Sequence, residues 1–184
     1  MIMLNKPLFH GDRVKLTAFQ EEDAAVLAAW HEDDEFLQLF DARPAVPKSK
    51  KDMEDWISSQ ESDSFRFAVR LKGTEELAGF IEIDGILWNH RSAWISAALQ
   101  RQYWSQGYGT EAMNLAIQYA FEELNLHRLQ LTVFSYNERA KRMYEKLGFI
   151  REGSHREFLE RRGRRHDLEL YGMLKREWME KEHS

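Results

Sequence analysis

The chain has 184 residues, 43% apolar and 31% charged, with eleven Phe, six Trp and six Tyr. That is enough for one sizeable core and too aromatic for a disordered or low-complexity protein. It contains no cysteine, which excludes a disulfide framework, Cys-based zinc or iron–sulfur sites and any thiolate nucleophile, while a net charge of −5 argues against a dedicated nucleic-acid binder.

In chain order, residues 14–19 alternate as a strand does, and residues 20–30 follow as a helix with acids in the first turn. The stretch 33–49, with Pro44 and Pro47, reads as a loop, and 50–59 as a second helix. Three strands follow at 65–71, 77–84 and 92–99, separated by turns at Gly73 and at Asn89, His90 and Arg91. Residues 110–124 form the strongest helical pattern, with Met113, Ala116, Ile117, Ala120 and Leu124 on one face. A strand at 129–134, a helix at 137–147 closed by Gly148, and a strand opening at Phe149 come next. A hairpin of 152–160 and 166–174, turning at Arg162 and Gly163, completes the order. Antiparallel strands early, then strand–helix–strand–helix–strand, define an α+β fold with a mixed sheet.

No apolar run approaches the roughly 20 residues of a membrane span. The first 13 residues lack the charged region and apolar core of a signal peptide, so one continuous domain over 1–184, located in the cytoplasm, is the expectation. Charge is unevenly divided. Residues 1–100 hold 11 Lys/Arg against 18 Asp/Glu, and residues 101–184 hold 15 against 13. This suits either uneven surface scatter or an acidic half facing a cationic substrate and a basic half facing an anionic cofactor.

The most informative stretch runs Tyr103-Trp104-Ser105-Gln106-Gly107-Tyr108-Gly109-Thr110-Glu111-Ala112, between a buried strand and the long helix. Glycines at 107 and 109 let backbone N–H groups converge on an anion, and the helix N-terminus adds partial positive charge. The same glycines would also serve a plain tight turn. Gly107-x-Gly109-x-x-Ala112 matches a dinucleotide fingerprint on paper, but the region about 20 residues on, Leu131-Thr132-Val133-Phe134-Ser135-Tyr136, offers no acid for a ribose. A Walker loop is excluded because no Lys-Ser/Thr follows the second glycine.

Asn137-Glu138-Arg139-Ala140-Lys141-Arg142-Met143-Tyr144-Glu145-Lys146-Leu147-Gly148-Phe149 begins 28 residues after Gly109. With this second motif the sequence resembles the GNAT superfamily of acyl-CoA N-acyltransferases. Gly11-Asp12-Arg13-Val14-x-Leu16 with Asp23, the Trp104 loop, and His166-Asp167 followed by Leu174-Lys175-Arg176-Glu177-Trp178 resemble its RimJ/RimL branch, the ribosomal-protein-alanine N-acetyltransferases. The resemblance covers essentially the whole chain. It implies a central mixed, mostly antiparallel sheet flanked by helices, with the acyl-CoA in a cleft between splayed central strands. It also implies acetyl-CoA as co-substrate, no metal, and an amine acceptor, with a ribosomal protein as a candidate substrate and a homodimer as a candidate assembly. Members of the branch often carry Ala-Glu-Ile-Gly in the strand before the loop. Here that strand reads Ala93-Trp94-Ile95-Ser96, so the glutamate is replaced by Trp94.

Acyl transfer from a thioester to an amine needs an anchored cofactor, a neutral amine, oxyanion stabilisation and a proton for the leaving thiolate. With no cysteine and no Gly-x-Ser-x-Gly elbow, direct attack in a ternary complex remains. Tyr144 is the candidate acid, because a phenol stays protonated at pH 7; the alternative is a hydroxyl bonded to backbone on the helix's inner face. Asn137 reads as an N-cap, and the resemblance adds a contact to the pantetheine arm. Backbone groups of Leu99 and Gln100 are expected to pair with that arm as an extra strand would, and Trp104, Ser105, Gln106, Gly107, Tyr108, Gly109 and Thr110 to cradle the phosphates. Glu82 is the candidate base, with Asp84 two residues on and on the same face; both would otherwise be solvent-facing charges, with water relaying the proton. The histidines are too scattered for a metal site. The run Arg161-Arg162-Gly163-Arg164-Arg165 reads as a solvated turn or a grip on an acidic partner. The expected function is acetyl transfer to a primary amine, either a protein N-terminal α-amine or a small-molecule amine. The alternative is a non-catalytic acyl-CoA-binding regulator.

Overall fold

A computed structural model describes residues 7–59 and 62–182. The first six residues of the stretch read as lacking a leader lie outside the described residues. Seven strands and six helices follow one another as β1 (Val14–Thr17), α1 (Asp23–Trp30), α2 (Asp34–Phe40), α3 (Lys50–Ser58), β2 (Phe65–Leu71), β3 (Leu77–Leu87), β4 (Ser92–Leu99), α4 (Tyr108–Glu122), β5 (Arg128–Phe134), α5 (Glu138–Leu147), β6 (Ile150–Arg161), β7 (Arg164–Leu174) and α6 (Lys175–Glu182). A single 3₁₀ turn, Arg101–Tyr103, links β4 to the glycine loop.

Local chemistry accounts for the boundaries. Ser49 and Asp52 form a reciprocal capping box at α3, and Asn137 Oδ1 accepts the Ala140 N–H to open α5. Gly148, at φ 104°, closes α5 in the left-handed conformation that a residue with a Cβ resists. Two elements depart from the sequence expectation. The 33–49 stretch is not all loop, because Asp33 accepts the N–H groups of Glu35 and Phe36 and starts α2, whose Phe36 and Leu37 are buried. The chain also ends in α6 rather than stopping at the hairpin.

The strands form one sheet in the order β1-β2-β3-β4-β5-β7-β6. Only β4 and β5 run parallel, so the expected mixed, mostly antiparallel sheet flanked by helices is what the chain builds. Period-two alternation sends Val69, Ile81, Ile83 and Ile95 to the face covered by α4, where they share a core with Met113, Ile117 and Phe121. It sends Ala68, Phe80 and Ala98 to the face covered by α1, α2 and α3, against Leu27, Trp30 and Phe36. On that second face Arg70 and Asp23 form an ion pair of 2.6 Å, both side chains under 10% exposed.

The functionally important irregularity is at the centre. The strands β4 and β5 pair at Ser92 with Arg128, Ala93 with Leu129 and Trp94 with Gln130, and no further. Beyond Trp94, β4 stays with β3 while β5 continues along β7, so the two strands splay and the sheet opens into a V.

Candidate active site

The V is a cavity of about 470 Å³. Its floor and arms are β4 from Trp94 to Leu99 and β5 from Leu131 to Phe134. Backbone accounting shows which groups face it. The Gln100 N–H donates to Ala78 O at 2.9 Å, on the β3 side, so the alternation turns the N–H groups of Ala97 and Leu99 toward the cleft, past the last β5 pairing. An extended ligand can meet them there as a missing strand would. Leu99 therefore presents its N–H to the cleft. Gln100 does not: its N–H is held by Ala78, its carbonyl accepts the Tyr103 N–H at 3.0 Å, and it is absent from the cavity wall. The Leu99 carbonyl is also engaged, accepting the Trp104 Nε1–H at 2.8 Å.

At the head of the V the chain turns through Ser105 (φ 59°) and Gly107 (φ 87°) into α4. No side chain caps this helix, so the first N–H groups, those of Tyr108, Gly109 and Thr110, point out of its N-terminus with the positive end of the helix dipole behind them. Trp104, Ser105, Gly107, Gly109 and Thr110 all line the cavity, whereas Gln106 and Tyr108 turn their side chains away. The Gln106 amide donates to Gln102 O at 2.6 Å, and the Tyr108 ring carries the Arg13 guanidinium 4.8 Å from its centroid. Arg13 also donates from Nη1 to Gln106 O at 2.9 Å, and a Cβ on Gly107 would lie 2.8 Å from Arg13 Nη2. The left-handed φ favours glycine there, while the guanidinium, at the end of a flexible side chain, could move aside.

Asn137 and Tyr144 approach from α5. With its Oδ1 used in capping, Asn137 keeps its amide N–H₂ for a ligand. Tyr144 is buried, packed edge-on against Phe149 and tilted to Tyr171, and among the described residues its hydroxyl has no hydrogen-bond partner. Burial alone pushes its pKa up to about 12.

The two acids on β3 separate. Glu82 is held by Arg66, Nε to Oε1 at 2.5 Å, and Arg66 is itself fixed by the carbonyls of Trp56 and Ser59; Glu82 is not on the cavity wall. Asp84 is on the wall, and its pKa is raised by burial first and by the neighbouring Glu82 second. Sequence reasoning named both and preferred Glu82, because the Arg66 cross-strand partner was not visible in a one-dimensional pattern.

The glycine loop, the α5 motif and the splayed strands occur together over residues 13–150, the segment that matches the acetyltransferase (GNAT) domain family. The chain belongs to the GNAT acetyltransferases. This GNAT enzyme is 33% identical over 152 residues to the spermidine N(1)-acetyltransferase of Escherichia coli (strain K12), covering 76% of the chain and 74% of that protein. It is 36% identical over 102 residues to YdaF of Bacillus subtilis (strain 168), which carries a provisional ribosomal N-acetyltransferase name, but that likeness covers only 55% of the chain and 56% of YdaF. In fold it is similar to the crystal structure of spermidine N-acetyltransferase from Vibrio cholerae in complex with CoA and spermine, with a TM-score of 0.83, 23% identity, and coverage of 92% and 99%.

The roles of two motif residues, Arg13 and Arg139, and of helix α2 in this GNAT site were not legible in the sequence. Arg13 buttresses the glycine loop from β1, 93 residues away in sequence from Gln106. Arg139, at the start of α5, lies with its guanidinium carbon 3.6 Å from the Trp104 ring centroid and lines the cavity. Phe36, Leu39 and Phe40 of α2 line it too, from a stretch that the prolines nearby made look irregular.

Proposed function

We propose that this GNAT enzyme transfers the acetyl group of acetyl-CoA to a primary amine by direct attack within a ternary complex. The observation that carries the reading is the V itself. One cavity holds the unpaired β4 N–H groups, the uncapped N-terminus of α4 and the Tyr144 hydroxyl. Acetyl-CoA supplies an acyl group activated as a thioester. The residues present fit it: Gly107, Gly109 and Thr110 for the phosphates, Ala97, Leu99 and Asn137 for the pantetheine amides.

The acceptor nitrogen forms the C–N bond and the C–S bond breaks, so the sulfur needs one proton and the amine must lose one. Tyr144 is positioned to donate the first. A phenol held near pKa 12 is fully protonated at neutral pH, and a departing thiol has a reference pKa of about 8.5. Asp84, the carboxylate on the cavity wall, is the group that can receive the second, directly or through water. Glu82 is engaged with Arg66. The acceptor class the motifs suggest includes protein N-terminal α-amines and small amines, and the relatives named for ribosomal and spermidine acetylation fall on both sides of that division. Among the described residues no helix is long and apolar enough to cross a membrane.

Release of free thiol from acetyl-CoA, followed across a panel of amines and N-terminal peptides, tests the reading. Amine-dependent release is expected. Tight CoA binding with no release for any amine would instead make the chain a non-catalytic acyl-CoA-binding regulator.

A further inference from the structure

On the face of the sheet covered by α2, the cavity is walled by aromatic rings. Phe36 and Phe40 stack at 5.4 Å with an interplanar angle of 15°, and Phe40 rests edge-on against Phe80 at 5.7 Å. Trp94 lines the same cavity. Phe40 and Trp94 are 38% and 40% exposed, and both line the cavity. The indole has a dedicated seat. Gly85, at φ 55°, bares its backbone, and a Cβ there would come within 3.1 Å of Trp94 Cδ1.

Charge on the same wall is sparse. Among the described residues lining the cavity, Asp84 is the only carboxylate and Arg139 the only cation. A linear polyamine, with several ammonium groups, would find one counter-charge and one repelling guanidinium. The acidic stretch Glu32, Asp33, Asp34 and Glu35 puts no residue on the cavity wall, although the Glu35 charge reaches Arg139. It borders a separate groove shared with Arg101, Arg161, Arg162 and Arg164, where Asp33 caps α2 and Glu35 pairs with Arg101 at 2.8 Å.

From these walls we infer that the acceptor is a monoamine: one primary ammonium, received by Asp84, on an apolar or aromatic body that lies between Trp94 and Phe40. The inference rests on the acetyl-transfer reading for its chemistry, but not for its binding. An aromatic body fills the slot and removes apolar surface from water, and a single charge is balanced by a single carboxylate.

The test compares 2-phenylethylamine with spermidine. Calorimetry on the CoA-loaded protein reads binding alone, and free-thiol release from acetyl-CoA reads turnover. Phenylethylamine is expected to bind more tightly and to show kcat/KM higher by about tenfold or more. Trp94→Glu is expected to lower phenylethylamine binding about tenfold while improving spermidine, and Trp94→Ala to lower only the former. Asp84→Asn should weaken both amines and leave the KM for acetyl-CoA unchanged. Spermidine binding as tightly as phenylethylamine, or a preference unmoved by both Trp94 variants, overturns the inference. If neither amine releases thiol but calorimetry retains the preference for phenylethylamine, the acceptor inference stands and the acetyl-transfer reading falls.

Discussion

Glu111, in the first turn of α4, ties that helix to β1 through Arg13. Its Oε1 accepts the backbone N–H of Arg13 at 2.7 Å and of Val14 at 3.1 Å, and its Oε2 accepts Arg13 Nε at 3.2 Å. The same Arg13 holds Gln106 O, so one carboxylate and one guanidinium fix the pitch of the loop that must present its N–H groups to phosphate. Burial pushes the Glu111 pKa up, but the two backbone N–H groups and the guanidinium outweigh it and leave it below the usual value of 4.5. A depressed carboxylate stabilises the fold fully above its unfolded pKa, and that stability is lost as pH falls through the folded value. Glu111→Gln is therefore expected to cost about 1–3 kcal/mol at pH 7, with the gap to the parent protein closing below pH 4.5 in denaturant titrations. In kinetics the variant should raise the KM for acetyl-CoA more than it lowers kcat.

Tyr144→Phe removes one hydroxyl that makes no hydrogen bond within the described protein, so folding should tolerate it. Turnover should fall by about a hundredfold or more, with acetyl-CoA binding nearly unchanged. The pH dependence gives a second reading. With the phenol pushed up to about 12 by burial, the parent enzyme should show no descending limb in kcat below pH 10. A limb near pH 8–9 that vanishes in Tyr144→Phe would assign the phenol a much lower pKa and contradict the burial argument. For stability, a raised pKa contributes fully below the unfolded value near 10 and is lost as pH rises toward 12. The variant should therefore resist alkaline unfolding slightly better in that window.

The parts of the fold that sequence made legible are those whose determinants are local. The bounds of β2 follow from alternation, those of β4 from a buried apolar run after the turn at 89–91, α5 from Asn137 and Gly148 at its ends, and the β6–β7 turn from Arg162 and Gly163. The start of α2 was legible in principle, since Asp33 precedes Phe36, Leu37 and Phe40 at helical spacing, but seven residues leave little period to read beside Pro44 and Pro47. What was not legible is long-range. The Arg66 partner that occupies Glu82 lies 16 residues away on a neighbouring strand, and the Ala78 carbonyl that turns Gln100 away lies across the sheet. Motif reading names residue types within reach of a reaction. Register decides which of them face it.

The Asp23–Arg70 pair offers a stability test away from the cleft. Asp23 Oδ2 accepts both Arg70 Nη2 at 2.6 Å and the Gln20 N–H at 2.8 Å, so it holds the turn that leads into α1 and anchors it to β2 at once. Removing one partner leaves a buried charge uncompensated. Asp23→Ala is expected to destabilise by about 3–5 kcal/mol in urea titration, whereas the double change Asp23→Leu with Arg70→Met should recover much of that loss. A double variant no more stable than the single one would show that the hydrogen bond to Gln20, not the ion pair, carries the effect.

Trp104 and Arg139 close the mouth of the V from opposite arms. Trp104 follows β4 and is pinned by its indole N–H to the Leu99 carbonyl; Arg139 opens α5, which follows β5, and sits over the indole with its guanidinium carbon 3.6 Å from the ring centroid. Burial lowers the Arg139 pKa and Glu35 opposes this only in part. A stack of this kind contributes about 0.5–2 kcal/mol. If it steadies the arms that receive the pantetheine, Arg139→Ala should raise the KM for acetyl-CoA about three- to tenfold and speed CoA dissociation in stopped-flow measurements, with kcat little changed. Arg139→Lys keeps the charge but loses the planar overlap, and should resemble Arg139→Ala rather than the parent enzyme. Full rescue by lysine would mean that the cation acts on the cofactor's phosphates and that the stack itself is incidental.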